Sequence, residues 1–436
     1  MSRLDSIRTE IGALWAGGAG KSLLAIALAW GLLNGTRMIY PVLLPYFSET
    51  FDLTLATAGL LVTIIWLCYA IGQVPGGILA DRHGERTILT ASVSFVCVGL
   101  VAVLLSPSAV VLFAATGLVG LGLSQYPIAR MTALSDLYPD RIGSALGVTM
   151  ASGDVGQTLL PPIASVLAVS VAWQLGLAFV LPLLAVSAAV IWLTLPGSDA
   201  SDDETDTPAD VAETGDASRG TDADDAGTAD RPVERDGGAD SSESVRSVLG
   251  KIARPTLLFT GFVMFAFIFV WQTFSAFYPT YLINEKEFSE TVAGVLFGLF
   301  FAIGVFVKPV AGVAYDRIGI RGSLPLALSG AVVGFALLPF VEGLWPIVGV
   351  TVVTSTMLGS GAITQSYLTE TIPEEIQGTG LGAIRSSAAA LGATGPVLFG
   401  WVAERGYFDE GYLVMAGFVG VVTVLTPFMP TDSRTD

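Results

Sequence analysis

The sequence predicts an all-α membrane protein of twelve transmembrane helices in two six-helix halves. Three observations carry that expectation. Only 14% of the 436 residues are charged while 52% are hydrophobic, against roughly 25% charged in a soluble protein. Twelve stretches are apolar over a membrane-crossing length of about 20 residues. A motif between the second and third stretch returns at the same place in the second half of the chain.

The twelve spans are read at 23–46, 56–80, 87–105, 108–129, 144–169, 174–195, 255–283, 291–315, 323–341, 343–368, 379–402 and 411–429. Several contain Pro or Gly, which membrane helices tolerate where neighbours satisfy the freed backbone groups. Most connections are short, so consecutive spans run antiparallel. Lys and Arg near the span ends set the orientation. One side collects Arg3, Arg8, Lys21, Arg82, Arg86, Arg130, Arg141, Arg246, Lys251, Arg254, Arg317, Arg321 and Arg434, and the other only Lys286 and Arg405. The first side is therefore expected in the cytoplasm of a plasma-membrane protein, with both termini. One loop on that side departs from the rule, carrying Glu370, Glu374 and Glu375 with no basic residue.

Five regions follow: a cytoplasmic or interfacial start (1–22), a first half (23–195), a linker (196–254), a second half (255–429) and a tail (430–436). The start is not expected to be a cleaved signal peptide, because its apolar run is too long and eleven spans follow. Leu4, Ile7, Ile11, Leu14 and Trp15 share one helical face suited to the membrane surface. Gly17-Gly18-Ala19-Gly20-Lys21-Ser22 imitates a phosphate-binding loop, but Trp15 stands where the motif needs Gly and no strand precedes it. The linker holds most of the formal charge of −17 and, from 197 to 248, no aromatic, Leu or Ile. Such a segment cannot form a core and is expected to be a disordered cytoplasmic connection, with a regulatory tail as the alternative. Only four Lys and an excess of Asp suggest a salt-loving host such as a halophilic archaeon, although an ordinary acidic loop accounts for the balance equally. Cys68 and Cys97 sit in apolar runs and read as buried free thiols.

The internal repeat decides the architecture. Residues 77–89 read Gly-Ile-Leu-Ala-Asp-Arg-His-Gly-Glu-Arg-Thr-Ile-Leu, and Gly77, Asp81, Arg82, Gly84, Arg86 and Leu89 recur 235 positions later. In the second copy they are Gly312, Asp316, Arg317, Gly319, Arg321 and Leu324. The same offset relates Ala58-Gly59 to Ala293-Gly294, Leu146-Gly147 to Leu381-Gly382 and Pro161 to Pro396. The halves are thus parallel repeats. Gly77 and Gly312 suit close helix approach, and Gly84 and Gly319 a tight turn.

This motif between spans 2 and 3 resembles the signature loop of the major facilitator superfamily, over nearly the whole chain outside the linker. The resemblance implies a gate, in which Asp81 meets the start of span 11 near Thr379 and Asp316 the start of span 5 near Ser144. A carboxylate at a helix N-terminus gains ~0.3–1 kcal/mol, so two such contacts would favour a closed cytoplasmic side. Drug–proton antiporters of the family usually carry an Arg four residues before a Gly-x-Gly in span 4. Here Thr116 precedes Gly120-Leu121-Gly122, and Leu160-Pro161-Pro162 replaces their Gly-Pro-x-x-Gly-Gly in span 5.

Charges inside the spans are few: Arg37, Asp154, Lys308 and Arg385. Each costs roughly 2.5–3.5 kcal/mol or more at midplane, so such residues mark pathways or pairs. Arg37 lies about 21 Å from the inner end of span 1, counting 14 residues at 1.5 Å each. The resemblance places spans 1, 4, 7 and 10 around a cavity, where the Arg37 fork would suit an anionic substrate. A structural pair with Asp154 is the alternative. Asp154 is also the candidate for proton coupling. Lys308 is expected to snorkel to the inner surface, and Arg385 is left between snorkelling and substrate contact. Gln125, Tyr126, Trp271, Gln272 and Gln365 are further substrate or coupling candidates on spans 4, 7 and 10.

With His83 the single histidine and two separated cysteines, neither an enzyme active site nor a metal or cofactor site is expected. The function expected is secondary active transport of a small solute, an organic anion foremost, by alternating access. Its partners would be that substrate, a coupling proton or sodium ion and the bilayer, with no nucleic acid, and the protein a monomer. A proton-coupled drug or metabolite efflux antiporter is the alternative, followed by a membrane sensor or lipid-handling protein.

Overall fold

A computed structural model describes residues 19–196, 255–371 and 377–428. The amphipathic start, the acidic linker, Glu374, Glu375 and the tail lie outside them. The first half runs α1 (Ala19–Phe51), α2 (Leu55–His83), α3 (Glu85–Leu104), α4 (Ala109–Leu137), α5 (Ile142–Ser170) and α6 (Leu175–Ala178 with Val180–Thr194). The second opens with α7 (Pro255–Asn284). The run Glu290–Leu337 has non-helical backbone at Gly319 alone, which divides it into α8 (290–318) and α9 (320–337). Then follow α10 (Leu344–Thr354, a tight turn at Ser355–Met357, and Leu358–Thr371), α11 (Gln377–Gly392 with Gly395–Ala403) and α12 (Phe408–Leu425).

Ten stretches of the described residues are long and apolar enough to cross a membrane, one of them, Glu290–Phe340, holding both α8 and α9. The stretch not among them is α5, whose Gly, Ser and Thr residues, Asp154 and Gln157 lower its hydropathy. Its setting explains that composition, because α5 packs between α1 and α8. A Cβ on Gly31 would lie 2.6 Å from Ser152 Oγ, and one on Gly156 would overlap the Gly31 carbonyl. Small residues let two backbones approach where lipid supplies no hydrophobic drive. The second half packs differently, through Phe274, Tyr278, Phe335 and Tyr412, with the Phe274 and Tyr278 rings stacked at 4.5 Å.

Both copies of the motif turn on a glycine. Gly84 takes φ 75° and Gly319 φ 65°, a region a Cβ disfavours. The spans read from hydropathy stop short here. The helices continue through the motif, so each turn is about one residue long. Arg86 lies over the Trp192 ring of α6 at 4.1 Å. Glu370, on the acidic loop's flank, accepts a hydrogen bond from Tyr315 at 2.6 Å.

The halves meet through α5 with α8 and α2 with α11. At the end away from the motif these contacts are tight. A Cβ on Gly59 would overlap the Pro396 carbonyl, and one on Gly294 would lie 2.6 Å from Ser165 Cβ. Ser165 Oγ donates to the Glu290 carbonyl at 2.6 Å, and the Ala56 amide to Glu404 Oε2 at 3.2 Å. At the motif end, positions 143 and 147 of α5 and 312 of α8 have nothing within 4 Å of where a Cβ would stand. Cys68 and Cys97 are free and half-buried rather than fully enclosed.

Candidate functional site

Between the halves lies a cavity of about 340 Å³ whose wall includes Arg37 of α1, Gln157 of α5, Trp271 of α7, Lys308 of α8, Gln365 of α10 and Arg385 of α11. Of the expected substrate residues it brings together Arg37, Trp271, Gln365 and Arg385. Gln125 and Tyr126 do not line it. The Gln125 amide donates to the Gly72 carbonyl at 3.1 Å and the Tyr126 hydroxyl to the Ile26 carbonyl at 2.9 Å, ties within the first half. Gln272 is buried beside the cavity and outside its wall.

Arg37 is 8% exposed, and Nη2 donates to Asn34 Oδ1 at 2.9 Å. Asn34 lies one turn earlier on α1, so the helix itself aims the guanidinium. Its carbon stands 4.0 Å from the centre of the Trp66 ring and 5.1 Å from that of Tyr69. Trp66 in turn meets Trp271 of the other half edge-on at 5.0 Å. Cation–π contacts give ~0.5–2 kcal/mol and hold the fork without cancelling its charge. Nε of Arg37 has no hydrogen-bond partner among the described residues.

Three expectations are corrected. Asp154 does not pair with Arg37: its partner is Lys308, whose Nζ lies 2.5 Å from Oδ1. Lys308 therefore does not snorkel. It lies 11 residues before Gly319, about 16 Å along a helix that hydropathy ended too early, and it reaches across the halves. Arg130 is expected just past the inner end of span 4, among the charges that set the orientation. Because α4 runs on to Leu137, Arg130 is instead 6% exposed, donates to Thr149 Oγ1 at 2.7 Å and lies over Trp30 at 4.0 Å.

Of the expected gate residues, the side chains of Asp81 and Thr379 and the surroundings of Gly77 lie outside what the structure describes. Asp316 and Ser144 are both exposed, and no hydrogen bond joins them in this conformer. Arg82, Arg317 and Arg321 are exposed at the same end.

The architecture is therefore two parallel six-helix halves around a central cavity, with a repeated glycine-turn motif at one end. A family model described as Major Facilitator Superfamily matches residues 25–396. The chain belongs to the major facilitator superfamily. Relatives in this superfamily include the hexuronate transporter of Bacillus subtilis (strain 168), 23% identical over 406 residues, covering 89% of each chain. A probable sulfoacetate transporter, SauU, of Cupriavidus necator is 23% identical over 419 residues, or 91% of each. Among solved structures, a bacterial homolog of the human lysosomal transporter Spinster, inward-facing and unoccupied, superposes with a TM-score of 0.72 at 15% identity, covering 95% of this chain and 97% of that one. The nucleoside transporter NupG gives 0.72 at 12% identity over 94% and 98%. These last two likenesses are of fold. The family and the named relatives are transporters, not enzymes.

Proposed function

We propose that the chain is a secondary transporter of a small organic anion across the plasma membrane, working by alternating access with its motif end in the cytoplasm. The observation that carries the substrate class is Arg37, a buried guanidinium at mid-depth with no acidic partner among the described residues. Arg385 adds a second positive charge to the same wall, while Asp154, the acid deepest in the spans, is already neutralised by Lys308. An uncompensated cation in a membrane interior is costly, and a ligand carboxylate or sulfonate removes that cost with the bidentate geometry a guanidinium favours. Two relatives that match nearly end to end carry names of organic-anion transporters, hexuronate and sulfoacetate. The excess of Arg and Lys at the motif end supports its cytoplasmic placement, and in that orientation the conformer described is inward-facing.

The test is uptake of labelled D-glucuronate and sulfoacetate into proteoliposomes. Wild type is expected to take up at least one of them. Arg37→Lys is expected to bind it about 10- to 100-fold more weakly, the equivalent of ~1.5–3 kcal/mol for a charged hydrogen bond, because an ammonium cannot replace the fork. Equal binding by Arg37→Lys would remove Arg37 from the site. Transport of cationic drugs or neutral sugars in place of both anions would overturn the substrate class.

A further inference from the structure

Of the α5–α8 and α2–α11 contacts between the halves, the first carries an ion pair and the second, among the described residues, carries none. On α5 and α8, Asp154 Oδ1 and Lys308 Nζ lie 2.5 Å apart. The repeat places Ala389 at the position of Asp154 and Gln73 at that of Lys308, so α2 and α11 meet without an equivalent pair. The pair is therefore not part of the duplicated scaffold.

Its place along the interface is informative. Asp154 lies 11 residues before Ser165, about 16 Å along α5 from the closed end. Between them, a Cβ on Gly298 of α8 would lie 2.6 Å from the Thr158 carbonyl of α5. Beyond Asp154 towards the motif, positions 147, 143 and 312 have nothing within 4 Å. The pair stands where the α5–α8 contact ends and the cavity begins. Its side chains are 36% exposed for Lys308 and 15% for Asp154, so Lys308 is open to a ligand and Asp154 lies behind it.

The charged groups around Asp154 are cationic: Lys308 from α8, and on the same cavity wall Arg37 from α1 and Arg385 from α11. On the far face of α5, α4 brings Arg130 against Thr149, and the packed residues of α6 include no titratable side chain. An anion in the cavity thus meets Arg37, Arg385 and a Lys308 whose charge is already committed to Asp154.

We infer that Asp154 and Lys308 form a coupling switch that admits one proton with each anion. The anion's carboxylate or sulfonate takes the Lys308 ammonium. Asp154, left without its counter-ion, takes a proton from the cavity water. One O–H bond forms on the carboxylate, hydronium supplies the proton, and no covalent bond of the ligand changes. A bare carboxylate at this depth is costly, so either the ammonium or the proton must be present. The neutral acid is the form that α5 and α8 can enclose when the motif end closes. This switch rests on the anion reading above and adds the coupling ion to it.

Titration calorimetry of the purified full chain tests it, with D-glucuronate and sulfoacetate as probes in two buffers of different ionisation enthalpy. Wild type is expected to take up about one proton per anion bound, with affinity rising by up to about tenfold for each unit of pH lowered. Asp154→Asn, which keeps the shape and a hydrogen-bond acceptor for Lys308, is expected to bind without proton uptake and with a flat pH profile. Lys308→Gln exposes a bare carboxylate and risks misfolding. The double change Asp154→Asn with Lys308→Gln is neutral and is expected to bind tenfold or more weakly, again without protons. Anion binding by wild type with no proton uptake, or uptake undiminished in Asp154→Asn, overturns the switch and leaves the anion reading standing. Failure of wild type to bind either anion overturns both.

Discussion

The two ends of the contact between the halves are written in the same repeated residues and are in opposite states. Away from the motif, Gly59 lies against Pro396, and Gly294 lies against Ser165 with the Pro161 carbonyl 3.6 Å from its added Cβ. Because Gly59 corresponds to Gly294 and Pro396 to Pro161, this is one contact made twice about a pseudo-twofold axis. Leu55 and Glu290 correspond as well, and so do Gly400 and Ser165. The first half offers the Leu55 carbonyl to a bare glycine, and the second offers the Glu290 carbonyl to a serine that donates to it. At the motif end, glycines of the same helices, 143, 147 and 312, meet nothing. Close-packed glycine contacts at one end, and none for the described α5 and α8 glycines at the other, fit a rocking-halves mechanism.

The largest effect is expected from filling the closed end. Gly59→Val would set a side chain into the Pro396 carbonyl. Overpacking costs ~1–3 kcal/mol, enough to shift a two-state population by roughly 5- to 150-fold. Distances across that end, measured between spin labels, should lengthen. The next effect falls on the motif turn. Gly319→Ala forces a Cβ into an extended positive-φ conformation, φ 65° and ψ −179°, at ~1–3 kcal/mol, and should lower the melting temperature, whichever end is closed. Ser165→Ala removes one of the two unequal carbonyl contacts and should weaken the closed end by about 0.5–1.5 kcal/mol, with Gly400→Ala, which overlaps the Leu55 carbonyl, worse. The smallest change in stability is expected for Gly147→Ala, within about 0.5 kcal/mol, since nothing lies near it here. If that glycine is buried only when the motif end closes, uptake should fall while melting temperature holds. Unchanged uptake would show that α5 never closes there.

Much of this is legible in the sequence. The offset of 235 picked out Gly59, Gly294, Pro161 and Pro396 as related, although only the fold shows that they touch across the halves. Gly84 and Gly319 stood out as turn glycines and take positive φ. What hydropathy misplaced was depth. Helices α4 and α8 run on past their apolar stretches to Leu137 and to 318, ending well beyond Arg130 and Lys308. Ending span 4 at 129 set Arg130 at the helix end, and ending span 8 at 315 set Lys308 only seven residues from it. The partner of Asp154 was missed for the same reason, because a lysine read as snorkelling is not available for pairing. The small-residue face of α5 was the one signal that could have corrected this, since a polar, glycine-rich helix is stable in a bilayer only between other helices.

The account's central claim is that the two ends open and close in opposition around the Arg37 cavity. It is tested most directly by two distances in one protein, with Cys68 and Cys97 replaced by serine. Labels at Arg141 and Ile318 report the motif end, and labels at Asp52 and Arg405 the other; all four positions are exposed. Each pair is measured in bilayers for wild type and for Gly59→Val. The account predicts reciprocal changes, with the Asp52–Arg405 distance longer and the Arg141–Ile318 distance shorter in the variant. A change at one end with none at the other, or lengthening at both, would contradict it.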